Sequence, residues 1–80
     1  MTNLYQTIGE ILMDEKKTNE LRERVRSFKE RSKFSYRILA EKIGIPYSSF
    51  RNFMYGVKIS VERYEMISEN LDHMESCMPW

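Results

Sequence analysis

Arg51 and Asn52 are neighbours, and their side chains carry the most specific chemistry in this chain. A guanidinium offers a planar fork of donors that matches guanine O6 and N7, and a carboxamide matches adenine N6 and N7. Each bidentate match discriminates against a wrong base by about 1–3 kcal/mol. Phe50 and Phe53 flank the pair and fill the side expected to face a core, so Arg51 and Asn52 are expected to point outward. The competing reading is a solvated polar face. Lys58 follows in the next loop as a candidate for phosphate or base contact.

Residues for catalysis or metal binding are absent or scattered. His73 is the only histidine, and no neighbouring cysteine or carboxylate reads as metal-ligand spacing. Cys77 is the only cysteine. It permits no intrachain disulfide, which fits a reducing cytoplasm, and no cationic neighbour in sequence would activate its thiol. The three glycines stand at 9, 44 and 56 and form neither a phosphate-binding loop nor a nucleophile elbow. The expectation is a protein without enzymatic activity, cofactor or metal.

Charge is distributed unevenly. Residues 1–21 hold two Lys and four acidic residues, net −2; residues 22–58 hold ten Lys/Arg and three Glu, net +7. Residues 59–80 hold one Arg and five acidic residues, net −4, so the whole chain is only +1. A basic centre between acidic ends suggests a polyanionic partner, although charge alone fits a solvated helix surface as well. No apolar run approaches a membrane span, and Glu10 and Asp14 interrupt any signal-peptide pattern. The final Cys77-Met78-Pro79-Trp80 formally matches a prenylation box, but Pro79, Trp80 and the lack of an upstream polybasic stretch argue against it. A cytoplasmic protein without membrane attachment is expected.

Eighty residues allow one domain with one small core. The periodicity predicts an all-α fold of four to five short helices around a central helix-turn-helix at 36–56. Leu4, Ile8, Ile11 and Leu12 share a face over 3–13, within an amphipathic extension set at 1–17. Asp14–Asn19 reads as a break. Leu21, Val25 and Phe28 form a stripe over 19–32, with Arg22, Arg24, Arg26 and Arg31 on a solvated face. Ser35 is the expected cap of a helix running to Ile43, with Leu39, Ala40 and Ile43 inward. Gly44 supplies a left-handed stop, and Pro46 suits the start of the next helix, which runs to Tyr55 and ends at Gly56. Ser60 caps a last helix over 61–71, where Val61, Tyr64, Ile67 or Ser68, and Leu71 share a face. Leu39, Phe50, Phe53, Tyr64 and Leu71 are expected core. The main domain is set at 18–71, and 72–80 reads as a tail without periodicity.

Residues 35–56 resemble the helix-turn-helix of phage-repressor and Cro-type regulators, the lambda-repressor-like fold. The residues that carry the resemblance are Leu39-Ala40, Gly44-Ile45, Phe50, Phe53 and Gly56, and the likeness extends over 19–71. The chain departs from the family pattern in two ways: Pro46 replaces the usual serine or threonine cap of the second helix, and the stretch before the motif is longer than a minimal domain needs. The last helix common in the family must come from 72–80 or be missing, which leaves the dimer interface open. The resemblance implies double-stranded DNA as partner, with helix 46–55 entering the major groove. It implies Tyr47 and Ser48 as base-contacting positions, with Arg51 and Asn52 one turn later. It implies Tyr36 and Tyr55 as phosphate contacts, with Lys58, Arg37, Lys33 and Ser49 as further backbone candidates. Tyr36 and Tyr55 have a competing reading as half-buried packing residues, and Tyr47 as a cover for the turn. A phage or mobile-element origin is implied by the same resemblance.

Two functions from different classes remain open at this level. One is a sequence-specific transcriptional regulator, acting as a repressor-like homodimer on a two-fold operator. Leu4, Ile8, Ile11 and Leu12 would form its interface, with Met74, Met78 and Trp80 as the second candidate. The other is a protein-binding module on the same fold, such as an antirepressor or another small phage-encoded inhibitor, with or without autoregulatory DNA binding.

Overall fold

The structure, a computed structural model, describes residues 12–77. It is all-α, with four helices among the described residues: α1 Glu15–Ser32, α2 Tyr36–Ile43, α3 Tyr47–Met54 and α4 Val61–Cys77.

Helix α1 starts earlier than the apolar stripe indicates. Residues 15–19 are helical rather than a break. Thr18 explains this: it is 2 % exposed, and its hydroxyl donates to the Asp14 carbonyl over 2.7 Å. It therefore adds one turn to the buried row of Leu21, Val25 and Phe28. Glu15 in the first turn complements the positive end of the helix. Lys33 ends α1 with φ +67, and its N–H donates to the Lys29 carbonyl. A lysine thus occupies the left-handed stop that glycine fills most readily.

The central unit follows from local chemistry. The Ser35 hydroxyl accepts from the Ile38 N–H at 3.2 Å and caps α2. Gly44 ends α2 with φ +94, and Pro46 stands as the cap of α3 rather than inside it. Leu39, Ala40 and Ile43 of α2 bury against Phe50, Phe53 and Met54 of α3, with Ile45 buried in the turn. Gly56 then turns the chain with φ +107.

Ser60 caps α4 by accepting from the Arg63 N–H at 3.1 Å. Ile67 and Leu71 are fully buried, whereas Tyr64 and Met74 pack against the core half-buried. Helix α4 continues through Cys77, so 72–77 is not a tail. It extends the same helix and forms no separate one. Two charged residues of this extension, Asp72 and Glu75, bond to Arg24 of α1.

Phe28, Phe50 and Phe53 are the largest fully buried side chains. Burying each contributes about 1.5–3 kcal/mol. Phe50 and Phe53 lie 6.1 Å apart between ring centroids, and Tyr36 lies 5.9 Å from Phe50. The core therefore holds the α2–α3 unit from behind. Ahead of α1, Leu12 pairs with Ser60 in an antiparallel bridge, and the Met13 N–H donates to the Ile59 carbonyl over 2.9 Å. Of the proposed interface residues, Leu4, Ile8 and Ile11 lie outside the described residues, while Leu12 is exposed.

Candidate nucleic-acid interface

With Phe50, Phe53 and Met54 in the core, the geometry of α3 turns Ser48, Arg51 and Asn52 to solvent. Tyr55, just past the helix, is 76 % exposed. Tyr47 and Ser49 are half-buried. Tyr47 packs against the core, and its ring also meets two cations. The Arg37 guanidinium lies 4.4 Å from its centroid and that of Arg51 6.0 Å. Arg51 also lies 5.9 Å from the Tyr55 ring. Arg37, Tyr47, Arg51 and Tyr55 thus form one alternating row of cations and aromatic rings across α2, α3 and the α3 exit.

The basic residues divide into two sets. On α1, Arg24 binds Asp72 and Glu75, Arg26 binds Glu23, and Arg31 lies 3.7 Å from Glu75. Burial of Arg24 works against its charge, but the Asp72 and Glu75 carboxylates outweigh it and hold the guanidinium above its ordinary value. Among the described residues, Arg37, Arg51, Lys42 and Lys58 have no ion pair. Lys42 rests 5.3 Å from the Phe34 ring centroid. Among the described residues no cation of α2, α3 or the loop after α3 has a carboxylate partner, whereas on α1 Arg24, Arg26 and Arg31 do and Lys16, Lys17, Arg22 and Lys29 do not.

A shallow groove of about 230 Å³ runs between α3 and the start of α4. Ser49, Asn52, Lys58, Ser60 and Arg63 supply its polar lining. It brings Asn52, Ser49 and Lys58 together. Arg63 was not among the expected residues, although it is the only Lys or Arg of 59–80 and the first turn after Ser60 was a visible cap. Tyr36 is half-buried, with its ring between Phe50 and the Lys29 ammonium, which lies 4.9 Å from the centroid. Lys33 caps α1 and has no hydrogen bond or ring contact with the α3 row among the described residues.

Arg22 corrects the expectation of a solvated arginine face on α1. It is 4 % exposed, and its guanidinium donates to the carbonyls of Phe53 in the last turn of α3 and of Val57 just beyond it. These partners are 31 and 35 residues away in sequence, so no local pattern reveals them. His73 and Cys77 likewise come together once α4 continues past Leu71, with Nε2 and Sγ 3.9 Å apart. No group of three His, Cys, Asp or Glu suited to a metal occurs among the described residues. None of the described helices is long and apolar enough to cross a membrane.

Comparison with protein-family models, with curated proteins and with solved structures finds no match for this chain.

Proposed function

We propose that the chain is a sequence-specific DNA-binding regulator that works in the cytoplasm and carries α3 into the major groove. One observation carries this reading. Arg51 and Asn52 stand exposed on α3, beside cations of the same face that have no carboxylate partner. Arg51 and Asn52 supply base discrimination, with Tyr47 and Ser48 at the leading end of the helix. Arg37, Lys58, Ser49 and Tyr55 supply backbone contacts, which fix register and most of the salt-dependent affinity. The resemblance of residues 35–56 to phage-repressor and Cro-type regulators supports the same reading. Binding as a homodimer to a two-fold site would give repression by blocking polymerase.

The test is fluorescence anisotropy with duplexes selected from a random pool, compared with unselected duplex at low and high salt. The expected result is tight, salt-sensitive binding to selected sites that is lost in Arg51→Ala. Binding that is absent, or equally weak on every duplex, overturns the proposal.

A second reading rests on the exposed apolar surface at the end of α3, where Tyr55 is 76 % and Val57 52 % exposed. Such a surface suits a protein partner. A protein contact through these residues would depend far less on salt than a phosphate contact.

A further inference from the structure

Arg22 is a buried cation without a carboxylate partner among the described residues. Its Nε–H donates to the Phe53 carbonyl, and Nη2 donates to the Val57 carbonyl over 3.1 Å. Nη1 donates to Asn19 Oδ1 over 2.5 Å, and the guanidinium lies 5.1 Å from the Phe53 ring centroid. A buried charge is costly unless other dipoles replace its water. Here the Phe53 carbonyl in the last turn of α3, which lacks a helical partner, replaces it together with the Val57 carbonyl beyond the helix and Asn19 Oδ1.

The same contacts fix the chain beyond the helix. The Val57 N–H donates back to the Asn52 carbonyl over 3.0 Å, while the Val57 carbonyl accepts from Arg22. The segment from Tyr55 to Val57, which leads into Lys58, is thus hydrogen-bonded both to its own helix and to α1. A planar guanidinium reaches Phe53 and Val57 at once, and an ammonium has no such fork.

We infer that Arg22 is a positioning residue: from α1 it fixes the exit of α3, and with it the placement of Tyr55 and Lys58 for contact with a polyanion. The inference rests on the DNA-binding reading for its final step and on geometry alone for the first.

The first step is tested by amide hydrogen exchange in the free, full-length Arg22→Met protein. Faster exchange confined to residues 55–58, with the amides around Leu21 and Leu71 unchanged, is expected. A uniform rise, or no change, overturns it. The final step is tested by anisotropy on selected duplexes. Arg22→Met is expected to weaken binding by about tenfold or more, with partial recovery in Arg22→Lys. Its effect should fail to add to that of Lys58→Ala and should add to that of Arg37→Ala. Ile67→Val is the control for a general loss of stability and should bind as wild type. Unchanged affinity in Arg22→Met, or a loss that Ile67→Val reproduces, overturns the positioning role. If the wild type binds no duplex, the DNA-binding reading and the final step fall together, and hydrogen exchange still decides whether Arg22 fixes the α3 exit.

Discussion

The guanidinium of Arg37, the second residue of α2, lies 4.4 Å from the ring centroid of Tyr47, the first residue of α3. The contact spans the Gly44–Pro46 turn and ties together two residues that would meet DNA from different helices. An exposed cation–π contact contributes about 0.5–1 kcal/mol. Arg37→Ala is therefore expected to lower folding stability by no more than about 1 kcal/mol in urea unfolding. Its effect on DNA binding should be larger at low salt, and the slope of log affinity against log salt should fall by roughly one. An unchanged slope would remove Arg37 from the proposed phosphate contacts.

Backbone conformation gives a second prediction, independent of any ligand. Lys33 and Gly44 both end helices in the left-handed region, at φ +67 and +94. A side chain there costs about 1–2 kcal/mol. Lys33→Gly should stabilise the free protein by about 1 kcal/mol. A Cβ at Gly44 would meet nothing within 4 Å, so the cost of Gly44→Ala is conformational rather than steric. That variant should lose about 1–2 kcal/mol. Urea midpoints moving in opposite directions for these two substitutions would bear this out; movement in the same direction would contradict it.

The α1–α4 contact gives a third prediction. Arg24 lies 2.5 Å from Asp72 and 3.1 Å from Glu75, and Arg31 lies 3.7 Å from Glu75. The Arg24 and Glu75 side chains are 36 % and 29 % exposed, so water and salt screen the pair substantially. Glu75→Gln should lower stability by up to about 1 kcal/mol at low ionic strength, and by less in high salt. Thermal unfolding at low and high salt checks this. A destabilisation that does not shrink with salt would show that Glu75 acts through packing instead.

Local signals were legible in the sequence and long-range partners were not. Ser35, Gly44 and Ser60 mark helix ends by their own chemistry, and the structure places helix boundaries at all three. Leu39, Ala40, Ile43, Phe50 and Phe53 repeat at helical spacing and are all buried. The start of α1 carries no apolar signal because Thr18 is polar, and its burial follows from tertiary packing. The end of α4 is hidden because Asp72 and Glu75 look like a solvated tail until Arg24, 48 and 51 residues earlier, is placed beside them. The burial of Arg22 is hidden for the same reason, since its partners are backbone carbonyls that carry no sequence signature. At the candidate site, exposure of Arg51 and Asn52 follows from the phenylalanines beside them. The stacking of Arg37 on Tyr47 required the turn geometry.

The most direct measurement is an amide NMR titration of the full chain with a selected duplex. Shifts concentrated on Tyr47–Asn52, Tyr55, Lys58 and the first turn of α2 are expected, with Glu62, Glu65 and Glu69 on α4 unmoved. Shifts confined to α4, or none at saturating duplex, would contradict DNA recognition through α3.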